Sequence, residues 1–153
     1  MAIVVIGVIL IFGYSSIKTL MDRINKVSEV DFQKKLESSI TRLTSEYGSV
    51  ENTVIFVGSD YKQACFLKNY WKGPAQYTPT EFTSYPLIMD YIDAKTQQPL
   101  KTVFLIKKDN QITPFKIGVI DLPSGQVLKC FDIRNSKLSV TIEGMGDHIL
   151  ISE

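Results

Sequence analysis

Met1 to Ile17 carry no charged side chain, and nearly all of them are apolar or glycine. A helix of that length is about 26 Å long at ~1.5 Å per residue, slightly short of the ~30 Å hydrocarbon core of a bilayer. Thr19, Leu20 and Met21 complete the span if Lys18 snorkels its ammonium toward the headgroups. The stretch is crowded with β-branched residues, which weaken a helix in water, but lipid forces the backbone to bond within the segment. The pattern predicts a transmembrane or filament-core helix over residues 1–21, with Ile3, Val4, Ile6, Val8, Ile9, Leu10, Ile11 and Phe12 as its assembly or membrane surface. Two alternatives stay open. A cleaved secretory signal lacks support from a basic n-region, and Gly13-Tyr14-Ser15 is a mediocre small-x-small site. A buried helix of a soluble protein is the other.

Beyond the apolar run the pattern becomes periodic without a break. No proline or glycine occurs from Tyr14 to Tyr47. Ile17, Leu20, Ile24 and Val27 form one stripe at helical spacing, and Phe32, Leu36, Ile40, Leu43 and Tyr47 form a second. The stripes are offset around Ser28–Asp31, where either a capping box starts a new helix or one helix bends. Gly48 supplies a C′ stop. Residues 22–48 therefore read as an amphipathic helix that continues the apolar one.

From Glu51 the period shortens to two. Asn52–Val57 and Gln63–Lys68 read as antiparallel neighbours across Gly58-Ser59-Asp60. Pro86, with Ser84 as cap, opens a short helix whose apolar face is Leu87, Ile88, Tyr91 and Ile92. Thr102–Lys107 and Phe115–Ile120 flank Asp109-Asn110 as a hairpin, and Gln126–Ile133 with Lys137–Glu143 flank Arg134-Asn135-Ser136 as another. Gly144-x-Gly146 reads as a turn needing positive φ, leading to a last strand at His148–Ser152. The expectation is an α+β fold. A long N-terminal helix, transmembrane and then amphipathic, packs on one antiparallel sheet of six or seven strands with one short helix, the head occupying residues 49–153.

Charge narrows the function classes. The formal net charge is +1, with 17 basic and 16 acidic residues interspersed, which excludes a strong nonspecific grip on nucleic acid. The candidate chemistry is sparse. Cys65 and Cys130 are the only cysteines. As a disulfide they close a loop of about 66 residues, worth on the order of 4 kcal/mol in the chain-entropy model; the alternative is two independent buried thiols. His148, the only histidine, has no identifiable nucleophile or orienting partner and reads as an edge or turn residue. Asp90 and Asp93 share one side of the short helix, where a solvated face outweighs a metal pair. Tyr70, Trp71, Lys72 and Tyr77 place aromatics beside a cation, a composition suited either to recognition or to a satellite core. No catalytic constellation, metal site or cofactor is expected, and the chain does not read as an enzyme.

The layout over Ala2–Tyr47, apolar for its first half, amphipathic for its second and leading to a small β-rich head, resembles the type IV pilin and pseudopilin plan. Asp31–Leu36, Tyr47–Val50 and Cys65-Phe66 are also similar to segments of membrane-anchored archaeal proteins of pilin-like form. Val5 stands where bacterial pilins carry a glutamate, an acid that archaeal pilins generally lack. The resemblance implies a structural subunit that polymerises with copies of itself through the N-terminal helix, with the head displayed outside the cytoplasm. Lys18, Arg23 and Lys26 after the span favour the opposite topology; a processed leader would supply the opposing charge. The alternative is a monomeric, membrane-anchored binding domain, with lipid around the helix and a surface ligand at the Tyr70–Tyr77 loop.

Overall fold

The computed structural model describes residues 2–71, 77, 79–93, 96 and 98–153; the side chains of 2–11, 22, 25, 79 and 124 lie outside that description. A single helix, α1, runs from Ala2 to Thr44, roughly 64 Å at ~1.5 Å per residue. It is neither broken nor re-capped at Ser28–Asp31. Ser28 is instead buried, and its hydroxyl donates to the Val57 carbonyl at 3.2 Å. That bond sits where the helix first meets the head, which explains the offset between the stripes: the buried face begins only there. Phe32, Leu36, Ile40 and Leu43 are all at most 2% exposed, whereas Ile17, Leu20, Ile24 and Val27 are open to solvent. Tyr47, expected to extend the buried stripe, is also exposed because the helix has already ended. Gly48 follows in the left-handed region, and its N–H donates to Gly144 O at 2.7 Å.

Among the described residues the head has eight strands: β1 (Val50–Phe56), β2 (Tyr61–Leu67), β3 (Val103–Lys107), β4 (Ile112–Phe115), β5 (Ile120–Asp121), β6 (Leu128–Asp132), β7 (Lys137–Gly144) and β8 (Ile149–Ser152). They form two four-stranded sheets, ordered β1-β7-β8-β5 and β4-β3-β2-β6. The expected single sheet is thus corrected to two, and the pairing of β1 with β2 is corrected as well. Between those strands the chain passes from one sheet to the other at Gly58, a buried residue with φ of +99°. The return crossing lies alongside, since Val57 N–H donates to Ser136 O at 2.9 Å. There Arg134 and Lys137 exchange two bonds around Asn135 and Ser136, both at positive φ, so the expected turn closes. Its strands then diverge, with β6 pairing to β2 and β7 to β1 and β8.

The β3–β4 hairpin forms around Asn110 (φ +67°), but β4 covers Ile112–Phe115 rather than Phe115–Ile120. The chain beyond it leaves for the other sheet, where β5 pairs in parallel with β8. Pro86 does open a helical element, a 3-10 helix from Pro86 to Tyr91 preceded by Tyr85 rather than capped by Ser84. Only Ile88 of its predicted apolar face is fully buried.

Two apolar clusters result among the described residues. The first joins the α1 stripe to the inner faces of both sheets, including Leu138, Val140 and Ile142 of the alternating strand β7. The second lies on the far face of β2 and β3, where Cys65, Leu67, Phe104 and Ile106 meet Tyr77, Phe82 and Ile88. Strands β2 and β3 are therefore covered on both faces, which accounts for their continuous rather than alternating apolar runs.

Candidate recognition site at the head tip

Lys68, Asn69, Tyr70 and Trp71 leave the end of β2 and cross the edge of the other sheet. Their path is held by main-chain bonds from Asn69 and Tyr70 N–H to Ile120 O, at 3.0 and 3.1 Å. The Asn69 amide closes the arrangement, accepting from Ile120 N–H at 2.6 Å and donating to Gly118 O at 3.1 Å. This brings Tyr70 against the β7–β8 turn, where its ring stacks on His148 with centroids 3.6 Å apart and planes within 8°. The Tyr70 hydroxyl donates to Asp147 Oδ2 at 3.2 Å.

His148 is therefore a buried member of a cluster rather than a plain edge residue. Asp147 engages its Nδ1 in a close contact, and Asp121 Oδ2 lies 3.9 Å from its Nε2. Asp121 also pairs with Lys68 at 2.6 Å, and the Lys68 ammonium stands 5.1 Å over the Trp71 ring. Trp71 Nε1 donates to the Tyr77 hydroxyl at 3.2 Å, and that hydroxyl donates to Lys68 O at 2.5 Å. Of the four residues singled out in the loop, Tyr70, Trp71 and Tyr77 are brought together, and Lys72 lies outside the described residues. Among the described residues, Lys68 stands as a cation beside these aromatics.

The electrostatics follow from these contacts. Burial raises the Tyr70 pKa, helped by the neighbouring Asp147 charge. The hydrogen bond with His148 lowers Asp147 below its ordinary value. Burial likewise raises Tyr77, opposed by the Trp71 bond. Tyr70 is thus held as a neutral donor, and both ring nitrogens of His148 face carboxylates. Asp147 holds Nδ1 of His148, and the exposed side of the cluster presents aromatic rings beside carboxylates. Tyr77 faces inward, while Tyr70 and Trp71 are half-buried and the Asp147 side chain is 65% exposed. Sequence reasoning missed His148 and Asp147 as partners of Tyr70, because they are separated by some 77 residues and no local spacing announces the stack.

The other predicted positions fall elsewhere. Cys65 and Cys130 form a disulfide between directly opposed residues of β2 and β6, with Cα atoms 3.9 Å apart. Asp93 accepts from Thr96 N–H at 3.4 Å. Among the described residues, no group of three or more His, Cys, Asp or Glu is placed to hold a metal ion. The side chains of Ile3, Val4, Ile6, Val8, Ile9, Leu10 and Ile11 lie outside the described residues; Phe12, the last of that set, is 70% exposed. Among the described residues no helix is long and apolar enough to cross a membrane.

The tip cluster lies at the end of the head where α1 terminates: Tyr47 packs 3.6 Å from the site a Cβ would take on Gly146, one residue from Asp147. The free part of α1 leaves from the opposite end, at Ser28 and Val57. No protein-family model matches the chain, and no curated protein or solved structure is detectably similar to it.

Proposed function

We propose that the chain is a structural subunit of a pilin-like extracellular filament or pseudopilin-like assembly, polymerising through its N-terminal helix and displaying the head outside the cytoplasm. One observation carries this reading. The helix that packs in the head continues unbroken into a protruding half, on which Phe12, Tyr14, Ile17, Leu20, Met21, Ile24 and Val27 are all more than half exposed.

Apolar side chains at this density need a cover that the head does not supply. Lipid suits the uncharged run, but the Ile17–Val27 stripe continues past Lys18, Arg23 and Lys26, which are exposed on the same stretch of helix. A charged helix with an apolar stripe is suited to other helices. A hollow of about 390 Å³ between Tyr14, Ile17, Lys18, Met21 and Ile24 and the Ser59–Asp60 turn offers a seat for a neighbour's helix. The test is proximity in native material. A single cysteine introduced as Leu20→Cys should give copy-to-copy crosslinks, and electron microscopy should show filaments or short assemblies. Dispersed monomers without crosslinks would defeat the filament reading.

The second reading, a monomeric membrane-anchored binding domain, is favoured by the placement of Tyr70, Trp71 and Asp147 at the end of the head remote from the free helix. It predicts a ligand-binding defect in Trp71→Ala with no change in assembly state.

A further inference from the structure

Among the described residues β1 is an edge strand, paired with β7 on one side only. The ends of that ladder reveal which backbone groups it leaves over. Gly144 N–H donates to Ser49 O at 2.9 Å, and Val57 N–H donates to Ser136 O at 2.9 Å. Bonded positions alternate along an antiparallel pair, so the odd-numbered residues from Ser49 to Val57 face β7. The N–H and C=O groups of Val50, Asn52, Val54 and Phe56 point to the open side. Natural edges are commonly blunted by proline, lysine, a bulge or shortness. This one is seven residues long with a continuous register, contains neither residue type, and exposes Val50, Val54 and Phe56 on its solvent face.

The open edge borders a groove. Lys34, Lys35, Ser38 and Ser39 of α1 and residues 53–55 of β1 line a shallow, open groove of about 350 Å³. Thr53 lines it, is 9% exposed, and has the one buried side-chain polar atom among the described residues, Oγ1, without a hydrogen-bond partner. That hydroxyl is closed to solvent, so the polar character of the groove comes from the lysines and serines of α1. The groove is also positive: the next cation on that helix flank, Arg42, is already paired with Glu51, leaving the charge of Lys34 and Lys35 facing the groove.

We propose that the open edge of β1 and the adjoining flank of α1 form a receptor for an extended, acidic segment of a partner protein, which adds to the sheet as a further strand. Main-chain bonds to Val50, Asn52, Val54 and Phe56 supply the grip, and alternate side chains supply the choice. Outward-facing side chains of the added strand lie beside Val50, Val54 and Phe56, which favours β-branched residues there. Inward-facing ones enter the groove, where a carboxylate lies beside the two lysine ammoniums.

The test uses the full chain in detergent micelles and two capped octapeptides of alternating valine and threonine. One carries a central glutamate at a threonine position and the other a lysine there. The glutamate peptide should slow hydrogen exchange at the amides of Val50, Asn52, Val54 and Phe56 and bind about tenfold more tightly than the lysine peptide. Lys35→Glu should reverse that preference. Val54→Pro should abolish binding yet leave the Thr53 and Ile55 amides protected, because the lost N–H points away from β7. Failure of the peptides to protect the edge at millimolar concentration, equal affinity for both, or normal binding by Val54→Pro would overturn the proposal. So would edge protection that rises with protein concentration alone, which would assign the edge to a second copy.

Discussion

Gly144 of β7 lies against the carbonyl oxygen of Leu43 at the end of α1, so closely that a Cβ at position 144 would stand 2.1 Å from that oxygen and 2.4 Å from Glu46 O. Both atoms are backbone, and neither can rotate away. The contact seats the helix terminus on the sheet, with Gly48 N–H donating to Gly144 O and Gly144 N–H donating to Ser49 O. Gly144→Ala should therefore destabilise the head by about 2–4 kcal/mol, as overpacking against rigid neighbours does. Denaturant melting monitored by the Trp71 fluorescence should show it. A loss below about 0.5 kcal/mol, the usual range for unconstrained surface sites, would refute the close approach.

Reducing the Cys65–Cys130 disulfide should lower stability by about 4 kcal/mol in the chain-entropy model for a separation of 65 residues. The bond joins β6 to β2, whose other neighbour is β3, so β6 is the strand expected to loosen first. Hydrogen exchange before and after reduction should show faster exchange in Leu128–Asp132 than in Val103–Lys107. Thiol titration of native material should find no free cysteine before reduction.

The parts of this architecture that could be read from the sequence are those set by local periodicity. The Phe32–Leu43 stripe, the alternation of β7 and the Asp109-Asn110 turn each follow from neighbours a few residues apart. The division into two sheets does not. A β-turn specifies that the chain reverses, and the same residues at positive φ serve whether the strands stay paired or part, as they do after Arg134 and Lys137. β5 spans two residues and owes its existence to β8, some thirty residues away, so no propensity reveals it. The tip cluster was half visible. Tyr70, Trp71 and Tyr77 stood out by composition, but Asp121 arrives from β5 and Asp147 and His148 from the β7–β8 turn.

Asp147 should give the tip an acid-sensitive component. Its folded pKa lies below the ordinary 3.8 because His148 donates to its carboxylate. A depressed acid contributes stability that is present above its unfolded pKa and lost as pH falls through the folded value. Melting of the native chain should thus weaken below about pH 4, and Asp147→Asn should flatten that limb. An unchanged acid limb in the variant would show that the contact does not form in solution.

Alkaline pH should act in the opposite direction through the tyrosines. Tyr61 is raised well above its ordinary 10.0, first by burial and then by its bond to Glu29 on α1, and Tyr70 and Tyr77 are also raised. A raised acid contributes stability that is present below the unfolded pKa and lost as pH climbs through the folded one. Absorbance titration of tyrosinate should show a fraction of the seven tyrosines ionising late, only as the head unfolds. Tyr61→Phe should remove part of that delayed fraction. Normal titration of all seven below pH 11 would contradict the burial of Tyr61 against Glu29.

The assembly proposed for the protruding half of α1 can be tested apart from folding, because its stripe contributes nothing to the core of the head. Ile24 is 54% exposed and Leu36, twelve residues on along the same helix, is fully buried. Ile24→Glu should therefore leave the melting midpoint of the head within the ~0.5 kcal/mol expected of a surface change, while reducing self-association. Leu36→Ala should do the reverse, costing about 2–5 kcal/mol through the cavity it leaves among Phe32, Ile40 and the two sheets. The pair is informative because the substitutions lie on one element and differ in what surrounds them. Sedimentation in detergent together with calorimetry reads both quantities. If Ile24→Glu left association intact, the stripe would have a role other than contact between copies, and the assembly reading would lose its main support.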